Sequence, residues 1–230
     1  MDVLDILPDE PACLEARAMI LARRGEIIWR SHAAIVLHAA RERLVTIVGR
    51  FRWPSLADVL GALADDVEIV TRESEFAAAG ALPSGWVAER ALVHHEPARL
   101  PEPPAGHRVT FFTGSDAPDL RHVPAALREE LEAALTFSPM AAALDGDVPV
   151  AFCYAAWETE TWWDVSIDTL ERWRGRGFAT AASAALMAYM RRRSKRAVWA
   201  ALESNLASLG VARRLRFERI GKLIVVRRTL

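Results

Sequence analysis

The sequence predicts an α/β fold, more fully an α+β arrangement around a mixed sheet. Three observations carry that prediction. Runs rich in β-branched and aromatic residues alternate with runs of helical spacing along the whole chain, which argues for a sheet with helices and against a bundle. Hydrophobic residues make up 52 % of the 230 residues and charged residues 26 %, enough to bury a core. One apolar strand runs into an arginine- and glycine-rich loop and then into an alanine-rich helix, Val165–Thr180, VSIDTLERWRGRGFAT.

The elements follow in order. Residues 12–30 read as a helix around Leu14, Ala18, Ile20 and Leu21, with Gly25 near its end. Residues 34–38 and 44–51 are β-rich. Pro54 at a first helical position opens a helix through Leu56, Val59, Leu60 and Leu63. Strands at 67–71 and 86–94 flank a short helix at 74–81. The segment 96–106, EPARLPEPPAG, holds Pro97, Pro101, Pro103 and Pro104. Proline removes backbone donors and favours extended linkers, so the chain divides into an N-terminal domain 1–96, a linker 97–106 and a second domain 107–230. In the second domain, residues 108–113 read as a strand and 118–135 as a helix. Strands at 140–144 and 150–157 flank an Asp145-Gly146-Asp147 turn. A strand at 162–169, a helix at 178–193, a strand at 197–202, a helix at 206–215 and a strand at 223–227 follow.

Composition excludes several classes. The net charge is -1, which argues against a generally basic nucleic-acid binder. The charge is uneven: residues 1–96 carry 10 basic and 15 acidic side chains, a net of -5, and residues 97–230 carry 19 and 15, a net of +4. Any anion is therefore expected in the second half. Cys13 and Cys153 are too few for a disulfide framework or a cysteine-rich zinc site. No apolar run reaches the roughly 18 residues of a membrane span. The acidic MDVLDILPDE resembles neither a signal nor a transit peptide, so the expectation is a cytoplasmic protein without membrane or nucleic-acid partners.

The junction at 165–180 is where chemistry is expected. Glycines allow close ligand approach and torsions that a Cβ forbids. No Ser, Thr, Asp or Asn caps the helix start at Phe178, so its first N–H groups and the helix dipole form an anion site suited to a pyrophosphate. Arg172, Arg174 and Arg176 add charge. The spacing matches neither a Rossmann fingerprint nor a P-loop.

Arg174-Gly175-Arg176-Gly177-Phe178-Ala179 matches the R/Q-x-x-G-x-G/A signature of the GNAT superfamily of N-acetyltransferases. Trp199, Asn205, Ser208 and Val211–Phe217, VARRLRF, are similar to the Asn-x-x-Ser start and Leu-Gly-Phe end of the helix that follows in that family. The resemblance covers about residues 107–230. It implies a GNAT-like acyltransferase fold, with acetyl-CoA as cosubstrate and no metal. It further implies that Ile167, Asp168 and Thr169 pair with the pantetheine amides. Backbone groups of Arg174, Gly175, Arg176, Gly177, Phe178, Ala179 and Thr180 would hold the pyrophosphate, with Asn205 near the thioester. The reaction would be direct acetyl transfer to the neutral amine of a small-molecule or peptide acceptor. Three departures stand out. Arg216 occupies the glycine position of Leu-Gly-Phe, so that helix end is expected to be built differently. Ala212 occupies the position of the tyrosine that protonates the leaving thiolate, which leaves Ser208 or a water for that role. Only 13 residues follow Phe217, so one of the family's closing strands is missing, shortened, or supplied by the N-terminal half or by a second copy in a homodimer.

Amine acetylation needs a base. Glu158, Glu160, Asp164 and Asp168 are candidates, with Glu160 first and Glu203 after them; Asp164, Ser166 and Asp168 share one face of their strand. Glu158 and Glu160 read equally well as solvated residues of a hairpin tip. The cluster Arg191, Arg192, Arg193, Lys195 and Arg196 reads as a solvated basic helix end. His94 and His95 point to opposite strand faces and cannot easily share a metal. Trp157, Trp162 and Trp163 read as packing residues, and Cys153 as a buried hydrophobe. The N-terminal domain lacks the signature. It is either a degenerate GNAT-like half or an unrelated α/β accessory cap. The rival to an enzyme is a catalytically inactive CoA-binding or interaction protein of the same fold.

Overall fold

The computed structural model describes residues 3–114 and 116–229. Among the described residues, eleven strands are interspersed with seven α-helices. In chain order they are α1 (Val3–Ile6), α2 (Leu14–Leu21), β1 (Glu26–Arg30), β2 (Ala34–Ala39), β3 (Leu44–Gly49), α3 (Ala57–Ala62), β4 (Glu68–Arg72), α4 (Glu73–Ala78) and β5 (Trp86–His95). Then come β6 (Arg108–Phe112), α5 (Ala125–Ala134), β7 (Met140–Asp145), β8 (Val148–Glu158), β9 (Trp162–Thr169), α6 (Phe178–Arg192), β10 (Arg196–Leu202), α7 (Leu206–Arg214) and β11 (Glu218–Arg228).

Two expected helices are shorter than their sequence pattern. The 12–30 helix ends at Leu21, and Glu26–Arg30 is a strand paired antiparallel with β2. Glu26-Ile27-Ile28-Trp29-Arg30 contains two β-branched residues and one aromatic, which suit a pleated surface better than a helix. In 118–135 only Ala125–Ala134 is helical, because Pro124 stands at the N-cap and blocks extension toward Pro118.

The chain forms two compact units. The first comprises residues 3–94, 200–206 and 219–229. Its strands run β1-β2-β3-β4-β11-β5. β3 and β4 pair in parallel over four residue pairs, from Leu44 with Glu68 to Ile47 with Thr71. β11 then pairs antiparallel with β4, from Leu223 with Arg72 to Val226 with Ile69. The strand that closes this unit thus comes from the far end of the chain. Its core is continuous with the rest: Ile224 and Val226 join Val36, Val45, Ile47, Trp53, Leu56 and Ile69 in one buried cluster.

The second unit comprises residues 95–199 and 207–218. Its strands run β10-β9-β8-β7-β6. β8 is buried along nearly its whole length because both faces are covered. Phe152 and Tyr154 share a cluster with Leu131, Ala134 and Leu135 around α5, while the alternate residues face α6, which packs on β7, β8 and β9. Small residues on that side, Ala141, Ala143, Ala151, Cys153 and Ala155, allow close approach to Ala181, Ala182 and Ser183, all buried. The linker is pinned to this unit. Glu96 is fully buried; its Oε1 accepts from Arg191 Nε at 2.7 Å and lies 3.6 Å from Arg196 Nε. Arg191 also donates to the Pro97 and Ala98 carbonyls. Two arginines of the basic cluster are therefore committed inside the unit.

Candidate active site

β9 ends at Thr169 and the chain tightens into a 3₁₀ turn, Glu171–Trp173. Arg174 Nε folds back on the Thr169 carbonyl at 3.2 Å. Gly175 has φ +74° and Gly177 φ +89°, the left-handed region in which an L side chain is strained. These two glycines turn the chain directly into α6. Gly177 is the N-cap, and no side chain caps the helix. The first N–H groups of a 15-residue helix therefore face outward without a built-in acceptor, at the positive end of the dipole. Arg172, Arg174, Gly175 and Arg176 are exposed. The Arg176 guanidinium lies over the Phe178 ring at 5.4 Å and 3.9 Å from Asp145 Oδ2.

The strand leading into this loop is paired unequally on its two edges. β8 accompanies it from Trp163 to Thr169. β10 pairs with it in parallel only over Trp162–Asp164, opposite Arg196–Val198. Beyond Asp164, among the described residues, β9 runs five residues further without pairing to β10. An edge of extended backbone that includes Ile167, Asp168 and Thr169 leads straight to the glycine loop. The same relation in the first unit is zipped: β3 and β4 pair along nearly all of β4.

The acid candidates separate by environment. Glu158 is held by Lys195, with Nζ 2.8 Å from Oε1, and Lys195 also donates to the Thr159 carbonyl. Glu160 is exposed at the β8–β9 turn. Asp164 is half-buried on β9, and burial pushes its carboxyl up to about 7. Asp168 is pushed up to about 6, by burial first and then by the Glu130 charge, with Arg174 opposing. Tyr154 pairs with Ser166 across the sheet and Phe152 with Asp168, so Asp164 and Asp168 lie on the α5 face. There the Tyr154 hydroxyl donates to Glu130 Oε1 at 2.5 Å. Burial, then the bond to Glu130, raises the Tyr154 phenol well above its usual value. Tyr154 and Glu130 are additions to the site that the sequence did not suggest. The available signal was one hydroxyl in an otherwise apolar strand, in step with the acidic face of β9.

Ser208 lies on α7 and its Oγ accepts the Trp199 indole N–H at 2.9 Å. Trp199 is buried against Phe217, rings 5.3 Å apart. Asn205 is exposed in the turn between β10 and α7, within the first unit. Ala212 is buried. Arg216 corrects one expectation: it takes φ +60°, the torsion a glycine would take. Phe217 N donates to the Ala212 carbonyl at 3.0 Å, so the helix ends in a Schellman-type closure with arginine in the glycine's role. No group of three His, Cys, Asp or Glu side chains able to hold a metal occurs among the described residues. No helix there is long and apolar enough to cross a membrane.

A mixed sheet, a parallel strand pair that parts company, and an uncapped helix after a two-glycine loop define the GNAT-like acetyltransferase fold. Residues 141–226 match the family model described as GNAT acetyltransferase. Solved structures share the fold over most of the chain. A GCN5-related N-acetyltransferase-like protein from Streptococcus suis 89/1591 aligns with TM-score 0.73 at 15 % identity, covering 99 % of this chain and 97 % of that one. A GCN5-related N-acetyltransferase from Kribbella flavida gives 0.64 at 14 % identity, covering 95 % and 94 %. A tandem GNAT protein from the clavulanic acid biosynthesis pathway gives 0.54 at 13 % identity, covering 86 % and 81 %. No curated protein sequence matches at a significant level.

Proposed function

We propose that the protein is an acetyl-CoA-dependent N-acetyltransferase acting on a primary amine of a small molecule or peptide. The observation that carries this reading is the β9–α6 junction. Two left-handed glycines lead into a helix start with no side-chain cap, beside three exposed arginines. That donor set fits a pyrophosphate, and the β9 edge fits the amides of a pantetheine arm. When bound, acetyl-CoA supplies the activated acetyl group. Backbone N–H groups of Arg174 to Thr180 bind the diphosphate. The edge at Ile167–Thr169 aligns the arm.

Asp164 is the base that this geometry favours over Glu160 and Glu158. It stands where the β9–β10 pairing ends, and its carboxyl near 7 is matched to taking a proton from an ammonium at neutral pH. Asp168 sits beside it on the same face. Ser208 is the candidate donor to the leaving thiolate, since the accepted indole N–H orients its hydroxyl.

The experiment is calorimetric titration with acetyl-CoA, coupled to detection of free thiol over a panel of amines. Gly175→Val tests the cradle. A Cβ there meets nothing within 4 Å in the protein, so the substitution strains one torsion by about 1–2 kcal/mol and fills the cradle. Affinity is expected to fall at least tenfold with the fold intact; unchanged affinity removes the assignment. The buried Ala212 at the tyrosine position favours a second reading, acetyl-CoA binding without transfer. Binding with no thiol release across the panel would select it.

A further inference from the structure

His107 is the first residue after the proline-rich linker and immediately precedes β6. It lies 69 residues from Arg176 in sequence, yet its Nε2 is 2.9 Å from the Arg176 carbonyl oxygen. A carbonyl only accepts, so Nε2 carries the hydrogen. Nδ1 is itself buried without a partner, which leaves the Arg176 carbonyl as the ring's polar contact. The ring also stands edge-to-face on Phe178, centroids 4.8 Å apart and planes at 89°. Gly177 precedes Phe178 and lies beside the imidazole. A Cβ at Gly177 would come to 3.1 Å from His107 Cε1 and 3.3 Å from Nε2. The loop backbone therefore rests against the imidazole, so a side chain at Gly177 would press on the ring as well as strain φ.

We infer that His107 is a positioning residue that presets the diphosphate-binding peptides. The inference rests on the acetyl-CoA reading of this junction. The Arg176–Gly177 peptide is planar and trans, so its C=O and N–H point in opposite directions. Holding the carbonyl on His107 turns the Gly177 N–H to the other side of the loop, away from the imidazole. The edge-to-face contact fixes Phe178, the first residue of α6, in the same stroke. The helix-start donors are thus aligned before any anion arrives, and the ordering entropy that binding would otherwise cost is removed in advance. The signature residues supply the donors; a residue outside the signature aims them.

The test compares three variants in the full-length protein. In His107→Phe the ring remains but the donor is lost, and in His107→Ala both are lost. In His107→Gln a donor is restored. Acetyl-CoA affinity is read by calorimetry and the ligand-free melting temperature by scanning calorimetry. Wild type is expected to bind. His107→Phe and His107→Ala are expected to weaken acetyl-CoA about tenfold, with His107→Gln recovering to within about threefold of wild type. Melting of the ligand-free protein should move by only a few degrees in all three. Wild-type affinity in both His107→Phe and His107→Ala overturns the positioning role, as does a loss that His107→Gln leaves unrecovered. Absence of acetyl-CoA binding by wild type instead overturns the reading of the site itself.

Discussion

At the scale of single residues, the titration of Asp164 decides how the proposed reaction depends on pH. Its carboxyl is raised to about 7 by burial, so the basic form accumulates as pH rises through that value. Turnover is expected to climb between about pH 6 and 8, and Asp164→Asn should lose the climb and most of the rate. Stability runs the opposite way. A carboxylate with a folded-state value above its unfolded one binds more protons when folded, so the fold loses stability from about pH 4 up to about pH 7. Denaturant titrations at pH 5 and pH 8 should show a smaller difference in Asp164→Asn than in wild type. Arg216 gives a second, independent expectation. An arginine at φ +60° carries about 1–2 kcal/mol of torsional strain, partly offset by the backbone entropy a glycine would lose. Arg216→Gly should therefore stabilise the protein by about 0.5–1 kcal/mol, read as a shift in the urea midpoint. The sequence showed that position as a departure from the family. It could not show that the backbone keeps the glycine's torsion, which is read from φ and from the hydrogen bond from Phe217 to Ala212.

At the scale of elements, the β9–α6 junction was legible because its information is local. Two glycines two residues apart, three arginines and the lack of a cap residue together specify torsions, charge and open donors. The proposed base was less legible because it depends on burial. Glu160 and Asp164 are both carboxylates near a strand end, and only the packing of β8 and α5 separates an exposed turn from an enclosed face. Lys195 likewise pairs with Glu158 through a contact that spans 37 positions of sequence. Helix lengths failed where apolar content carried two messages: Ile27, Ile28 and Trp29 continue a helical pattern and equally make a strand. The end of α6 yields a stability prediction. Glu96 is buried with Arg191 and Arg196. Glu96→Ala leaves two guanidiniums facing a void and frees the linker, and breaking a buried pair of this kind costs about 3–5 kcal/mol. Both arginines retain partial exposure, which places the expected loss at the lower end, about 3 kcal/mol. Urea denaturation with an unchanged m-value would confirm it.

At the scale of the whole molecule, the first unit is assembled from three separated segments. A reading along the sequence cuts the chain once, at the prolines, because composition reports linkers and says nothing of which strands pair. The partner of β4 lies some 150 residues downstream, and no local pattern can name it. The last strand of the chain, β11, lies in the first unit between β4 and β5. Its contribution is measurable. Ile224 is nearly fully buried in the first unit's core, and Ile224→Ala should cost about 2–4 kcal/mol. Limited proteolysis should then cut within residues 3–94 well before it cuts the β9–α6 region.

That late strand also sets an order of events during synthesis. Everything from β1 to β5 leaves the ribosome long before β11 is made, and at about 5–20 residues per second the gap lasts on the order of ten seconds. Through that interval the nascent chain carries β4 with one edge bare, the kind of template on which strands from other chains can add. Expression of the protein should therefore respond to chaperone supply and to translation speed over its final third, and a ribosome stalled just before residue 218 should hold a first unit that cannot yet close.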